Sequence, residues 1–267
     1  MPQDDQGRVR KEAPPAEDAA GPDVLESSIA TIFDLLQPGA RVLDVGGWSI
    51  PFNRADYVVD LMPFHTRGEG QGPVPESFGP DTWVQLDVCR DSLPFEDKSF
   101  DFAICSHTLE DIRDPLFLCA ELNRVAKAGY VETPSVAAEL TYGVESRKYA
   151  GWYHHRWLVE MRNGGIAFRH KPHLAHGEWR HHLPKRMSRS MTSEERATCM
   201  LWEGSFSFEE LIELDMQRVK DDLERFVRET GCRPEWRYLL VPIEDAARRT
   251  RALMGSKMRA LTAHARR

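Results

Sequence analysis

The chain has no apolar run long enough to cross a bilayer, no Cys-x-x-Cys pair and no internal repeat. These absences argue against a membrane span, a thiolate metal or redox motif and a repeat architecture. Five cysteines are scattered (Cys89, Cys105, Cys119, Cys199 and Cys232). Cys105 and Cys119 lie in apolar segments and read as buried thiols, a pattern suited to a reducing cytoplasm. The N-terminus carries no apolar core of the kind a secretory leader needs. Rich in proline, alanine and mixed charge, residues 1–22 are expected to form a disordered tail. An excess of positive charge is missing too. The formal net charge of −7 speaks against a general binder of nucleic acid. What remains is ordinary for a globular chain: 267 residues, 41% apolar and 29% charged. That length allows one well-buried domain with an elaboration.

Apolar residues recur at helical spacing from Asp23 to Leu36, and Pro38-Gly39 stops the pattern. Short apolar runs that end in a polar residue follow: Arg41–Asp44, Tyr57–Asp60, Thr82–Leu86 closed by Asp87, and Phe100–Cys105 closed by Ser106-His107. Met62–Pro80, rich in glycine and proline, reads as a loop. Asp114 as N-cap, Pro115 at the first helical position and the stripe Leu116, Leu118, Leu122 and Val125 announce a helix, which Gly129 is expected to close before a fifth strand, "YVETP". Strand, helix and strand thus alternate from about Asp23 to Pro134, the pattern of an α/β fold with a doubly wound, mostly parallel sheet. Ligands in such sheets bind beyond the carboxyl ends of the strands. Asp44, Asp60, Asp87 and Ser106-His107 stand at four successive ends.

Further along, "WLVEMRNGGIAFRHK" predicts a hairpin turning at Asn163-Gly164-Gly165. Phe206–Glu229 predicts a long amphipathic helix begun by Ser207, "EWRYLLVPI" a late strand, and Glu244–Arg267 a basic final helix.

"VLDVGG", "VVDL", "LDVCRDSLPFEDKSFDFAICSHTLEDIRDP" and "ELNRVAKAGYVETP", in this order, resemble the class I S-adenosylmethionine-dependent methyltransferases, in particular their small-molecule type 11 branch. The resemblance spans roughly residues 24–135. It implies a Rossmann-like methyltransferase domain over residues 23–267, with 136–205 as a substrate-lid insertion after the fifth strand. The cofactor implied is S-adenosylmethionine and the partner a small-molecule acceptor. In family register Asp60, with Leu61 beside it, would take the ribose hydroxyls. Asp87 would accept from the adenine amino group, with Val88 as apolar or backbone contact. Asp44 and the Gly46-Gly47 backbone would meet the amino-acid moiety, with Ser106 close to them. The family's three loop glycines would fall at 46, 48 and 50, so only Gly46 is present. Trp48 then forms a pocket wall, or Trp48 and Pro51 swing the chain wider. S-adenosylmethionine has no phosphate to cradle, so the altered loop weighs more against a dinucleotide enzyme than against this reading. The alternative is a methyltransferase fold that binds a nucleoside-like ligand without transferring a methyl group.

Methyl transfer needs alignment, and a general base where the acceptor is a hydroxyl or a protonated amine. His107, at the fourth strand's mouth, is one candidate. The stretch "YAGWYHHRW" supplies the others, His155 and Tyr153, with Arg156 as a clamp for an anionic group. Glu110 and Asp111 read as solvated or capping acids. Seven of the ten histidines lie between His154 and His182. They read as a solvated, pH-sensitive loop and not as a metal site, because neither cysteine nor a His-Glu-x-x-His pattern joins them. The basic final helix lacks the interleaved aromatics of a nucleic-acid surface. Oligomeric state, including a homodimer, is left open.

Overall fold

The structure, a computed structural model, describes residues 24–146 and 148–230. The tail at 1–22, the strand expected at "EWRYLLVPI" and the final basic helix lie outside the described residues. The chain divides into two units, Met1–Val227 and Arg228–Arg267; of the second, only Arg228–Thr230 are described.

Helix α1 (Glu26–Leu35) leads into β1 (Val42–Val45), β2 (Tyr57–Asp60), β3 (Trp83–Gln85), β4 (Phe102–Ser106), α2 (Pro115–Val125) and β5 (Ala128–Pro134). Strands β3, β2, β1, β4 and β5 lie parallel in that order, so strand order reverses between β1 and β4. After β5 the chain leaves the sheet. It forms α3 (Val136–Glu139), the hairpin β6 (Trp157–Arg162) and β7 (Gly165–His170), then α4 (Arg186–Ser190) and α5 (Ser193–Arg196). It returns as β8 (Ala197–Glu203), antiparallel to β5. Strand β9 (Ser207–Glu210) joins β7 in a second, three-stranded sheet, and α6 (Met216–Thr230) follows.

Side-chain alternation assigns each face its core. Val42, Val58, Phe102, Ile104 and Tyr130 pack against Ile32 of α1, while Leu43, Val45, Val59, Ala103, Cys105 and Val131 meet Leu118, Leu122 and Val125 of α2. Each buried Val, Leu, Ile or Phe among them contributes about 1.5–3 kcal/mol. Asp114 accepts a hydrogen bond from Phe117 N–H at 3.0 Å and caps α2 with Pro115 at the first position, as its sequence announces. The hairpin also forms as read: Asn163 and Gly164, both at positive φ, make a two-residue turn.

Four expectations need correction. No α-helix lies between β1 and β2, or between β2 and β3, so the alternation is incomplete. Gly129 does not close α2; it sits inside β5, where a Cβ would overlap the Ala103 carbonyl and crowd the Trp202 ring. The excursion ends at Arg196, because residues 197–203 belong to the main sheet as an edge strand. Ser207, Glu209 and Glu210 lie in β9 and not in a first helical turn, and the amphipathic helix begins at Met216.

Candidate functional site

The carboxyl edge of the parallel strands is built first by the β1 loop. Gly46 has φ +87°, a region that favours glycine, and a Cβ there would overlap the Thr108 hydroxyl. Its N–H donates to Val59 O at 2.8 Å and extends the β1–β2 pairing. A Cβ on Gly47 would overlap the Asp44 carboxylate, which is buried and accepts from Phe52 N–H at 2.8 Å. Both glycines are therefore required by contacts within the protein. Asp44 thus lies under the loop and braces it. Residues 48–53 then pair with the glycine-rich segment beyond. Gly68 N–H donates to Trp48 O at 3.0 Å, Gln71 N–H to Pro51 O at 2.7 Å and Asn53 N–H to Gln71 O at 2.8 Å.

Asp60 ends β2 nearly buried. Its Oδ2 accepts from Trp48 N–H at 3.1 Å and its Oδ1 from Met62 N–H at 2.7 Å. Burial raises its pKa above the ordinary carboxylate value, against the opposing pull of the Met62, Trp48 and Leu61 amides. The Trp48 indole donates to Thr66 O at 2.9 Å, which fixes the ring against the segment after β2, while Leu61 stands exposed. One strand over, Leu86 N–H donates to Asp60 O at 2.8 Å, which brings Asp87 alongside. Asp87 Oδ1 accepts from Cys89 N–H at 3.0 Å in an Asx-turn; its other oxygen makes no hydrogen bond among the described residues. Val88 is half-buried next to it. At the end of β4 the Ser106 hydroxyl is buried without a hydrogen-bond partner among the described residues.

His107 follows at φ +48°. Its Nε2 lies 3.2 Å from Glu132 Oε1 and its Nδ1 3.4 Å from Glu110 Oε1, and both glutamates are fully buried. Burial alone would lower the pKa of the ring. The two carboxylates outweigh it and hold the value up at about 10. At neutral pH the ring is an imidazolium with both nitrogens engaged, so the expected role of His107 as a proton acceptor does not fit. Glu110 is likewise no solvated acid. The Glu132 carboxylate also accepts from Leu25 N–H at 3.1 Å and from the Tyr130 hydroxyl, which ties the start of α1 to β5.

The stretch 150–157 is pinned to the turn after β4. Arg156 N–H and Trp157 N–H donate to Glu110 O at 2.7 and 3.1 Å, Arg156 Nε to Asp111 O at 2.9 Å and Trp157 Nε1 to Ile112 O at 2.9 Å. Gly151, at φ +58°, passes over Glu139 so closely that a Cβ would overlap the Glu139 carbonyl. Beneath it Glu139 Oε1 meets His155 Nδ1 at 2.5 Å, and Oε2 meets Lys171 Nζ at 2.5 Å. Burial would raise the Glu139 carboxyl; the His155 ring and the Lys171 ammonium overcome that and hold it below the ordinary range. Tyr153 is 67% exposed; its backbone N–H donates to Glu145 and its ring meets those of Tyr149 and His154, at 6.3 and 5.2 Å. Of the three expected catalytic side chains, only His155 is both braced and open at one nitrogen.

Among the described residues no group of three or more His, Cys, Asp or Glu side chains comes together as a metal site. The histidines of 170–182 are not a uniformly solvated loop either. His181 and His182 are buried, and His176 Nδ1 accepts from Ala150 N–H at 3.1 Å. A cavity of about 730 Å³ opens at the opposite, amino edge of the sheet, between Leu36, Phe102, Ala128 and Trp202, away from all these groups. Glu132, Glu139 and Lys171 were missed in the sequence, where a lone glutamate inside an apolar segment ("YVETP", "VAAEL") is the visible sign.

Residues 65–131 match the family model of the methyltransferase domain. That stretch runs from the loop after β2 to β5, about a quarter of the chain, and is similar to a methyltransferase domain. No curated protein matches the chain. Among solved structures, an S-adenosylmethionine-dependent methyltransferase from Mesorhizobium loti is 19% identical, over 54% of this chain and 64% of that one, with a TM-score of 0.31. A putative methyltransferase from Bacillus halodurans is 18% identical, over 51% and 71%, with a TM-score of 0.29. A putative methyltransferase from Haloferax volcanii, solved with the Trm112 activator, is 19% identical over 38% and 47%, with a TM-score of 0.29. The chain spans 47%, 64% and 71% of the Haloferax, Mesorhizobium and Bacillus proteins respectively.

The residues present fit S-adenosylmethionine. Among the described residues, Asp60 has lone pairs left for two hydroxyls, Asp87 has an oxygen left for an exocyclic amine, and the Ser106 hydroxyl has no partner.

Proposed function

We propose that the protein transfers a methyl group from S-adenosylmethionine to a small-molecule acceptor held between the β4 and β5 ends and the segment 150–157. The observation that carries this reading is the Asp60 carboxylate, fixed at the end of β2 by two backbone N–H groups and adjoining Asp87. A nucleoside with vicinal hydroxyls and an exocyclic amine matches that pair. The sulfonium supplies the reactive methyl when bound; this chain's residues orient the reactants and exclude water. Free thiols at Cys89, Cys105, Cys119 and Cys199 favour work in the cytoplasm.

The test is titration with S-adenosylhomocysteine, followed by calorimetry and by tryptophan fluorescence. Saturable binding is expected, with a fluorescence change that disappears in Trp48→Phe. No binding at millimolar ligand rejects the reading. Binding without label transfer from S-adenosylmethionine to any component of a metabolite extract leaves only a nucleoside-binding fold.

A further inference from the structure

Two buried ion-pair groups flank the carboxyl edge, and they differ in what they leave open. In the first, both ring nitrogens of His107 face carboxylates. In the second, His155 Nδ1 meets Glu139 at 2.5 Å, while Nε2 makes no hydrogen bond among the described residues and is not sealed from solvent.

The fold holds this second ring with care. Glu139 ends α3, which starts directly after β5, and Ser135 caps that short helix by accepting from Ala138 N–H at 3.2 Å. Residues 156 and 157 are hydrogen-bonded to Glu110, on the turn after β4. His155 is thereby brought to the ends of the two strands where the acceptor is expected. Trp152 stacks on its face at 5.0 Å, and the His154 ring meets it edge-on at 4.5 Å. The side chain is 8% exposed, enough to touch a ligand and too little to tumble. The charged groups around it are Glu139, Lys171 behind Glu139, and His154, itself 3.8 Å from Glu145.

The Glu139 carboxylate, held ionised by His155 and Lys171, can only accept from the ring. Nδ1 is therefore the donor to it, and Nε2 is the nitrogen left to face a substrate. We infer that His155, oriented by Glu139 and Lys171, is the general base of the methyl transfer, and that the acceptor atom is a hydroxyl oxygen. The inference rests on the function proposed above. A neutral amine attacks with its own lone pair and a thiol ionises readily, whereas a hydroxyl needs its proton taken as it attacks. The hydroxyl oxygen forms the bond to the methyl carbon, the carbon–sulfur bond breaks with its pair passing to sulfur, and the hydroxyl proton goes to Nε2. His155 is the catalytic residue; Glu139 and Lys171 are positioning residues.

Three measurements test this. In protein labelled with ¹⁵N-histidine, one ring at pH 8 should show a protonated Nδ1 and an unprotonated Nε2, and that signal should vanish in His155→Gln. The opposite tautomer overturns the inference without any assay of turnover. With ¹³C-methyl S-adenosylmethionine and a metabolite extract, the labelled product should carry its methyl on oxygen. A methylamine, a thioether or no product overturns it. Turnover on that product's precursor should fall by roughly 10²–10⁴-fold in His155→Gln, while S-adenosylhomocysteine affinity stays within a few fold. In Glu139→Gln, kcat should fall at least about tenfold while the acceptor's KM stays within a few fold. Retained turnover in His155→Gln, or an unchanged kcat in a folded Glu139→Gln, rejects the assignment. Loss of S-adenosylhomocysteine binding in the wild type removes the underlying function as well, whereas intact binding with a wrong tautomer removes this inference alone.

Discussion

The Thr108 hydroxyl fills the space that a side chain at position 46 would need, and it joins the β1 loop to the turn after β4. Gly46→Ala combines this overlap with left-handed backbone, a cost of roughly 1–3 kcal/mol from the strain alone. Chemical denaturation should show a lowered midpoint, and adding Thr108→Ala should restore part of it. An unchanged midpoint in Gly46→Ala would mean that the loop moves freely away from Thr108.

Asp60→Ala should act on binding and on the loop together. Loss of bonds to the ribose hydroxyls, each roughly 1.5–3 kcal/mol for a charged partner, weakens S-adenosylhomocysteine by at least about tenfold. The Trp48 and Met62 amides also lose their acceptor, so stability should fall as well. Calorimetry on the folded variant decides it: unaltered affinity takes Asp60 out of the site.

His107 gives a pH signature. Its folded-state pKa, about 10, lies above the ordinary 6.5, so the folded chain holds a proton that the unfolded chain releases first. The stability this contributes is complete below about pH 6.5 and is lost as pH rises through about 10. The slope in that window is at most about 1.4 kcal/mol per pH unit. Thermal unfolding of wild type and His107→Gln at pH 6, 8 and 9.5 should therefore converge as pH rises. A gap that stays constant would show that the ring is neutral in the folded protein.

The strands, the α2 cap and the hairpin were legible because each depends on local pattern: apolar runs ending in acids, Asp114-Pro115, and Asn163-Gly164. The return strand β8 was not. As an edge strand it is partly exposed on both faces, with Cys199 and Leu201 outward, so neither period stands out. Asp60 could be placed by sequence position alone, since it is simply the last residue of its strand. The roles of His107 and His155 could not be separated that way. Both are histidines beside the edge, and what distinguishes them is whether two carboxylates or one reaches the ring; Glu132 and Glu139 come from other elements, and only Glu110 is a near neighbour in sequence. That Asp44 braces its own loop was equally hidden: the segment at Phe52 turns back and donates to its carboxylate.

Where β1 and β2 would ordinarily be joined by a helix, residues 48–53 lean on residues 68–77 through main-chain bonds. The loop's shape is thus stored in a second loop and not in its own sequence. Neither can unravel alone, because the amides of Gly68, Gln71 and Asn53 are shared between them. The wall beside Asp60 therefore opens as one cooperative unit, and those three amide protons should exchange with solvent at a single common rate that slows when the nucleoside is bound.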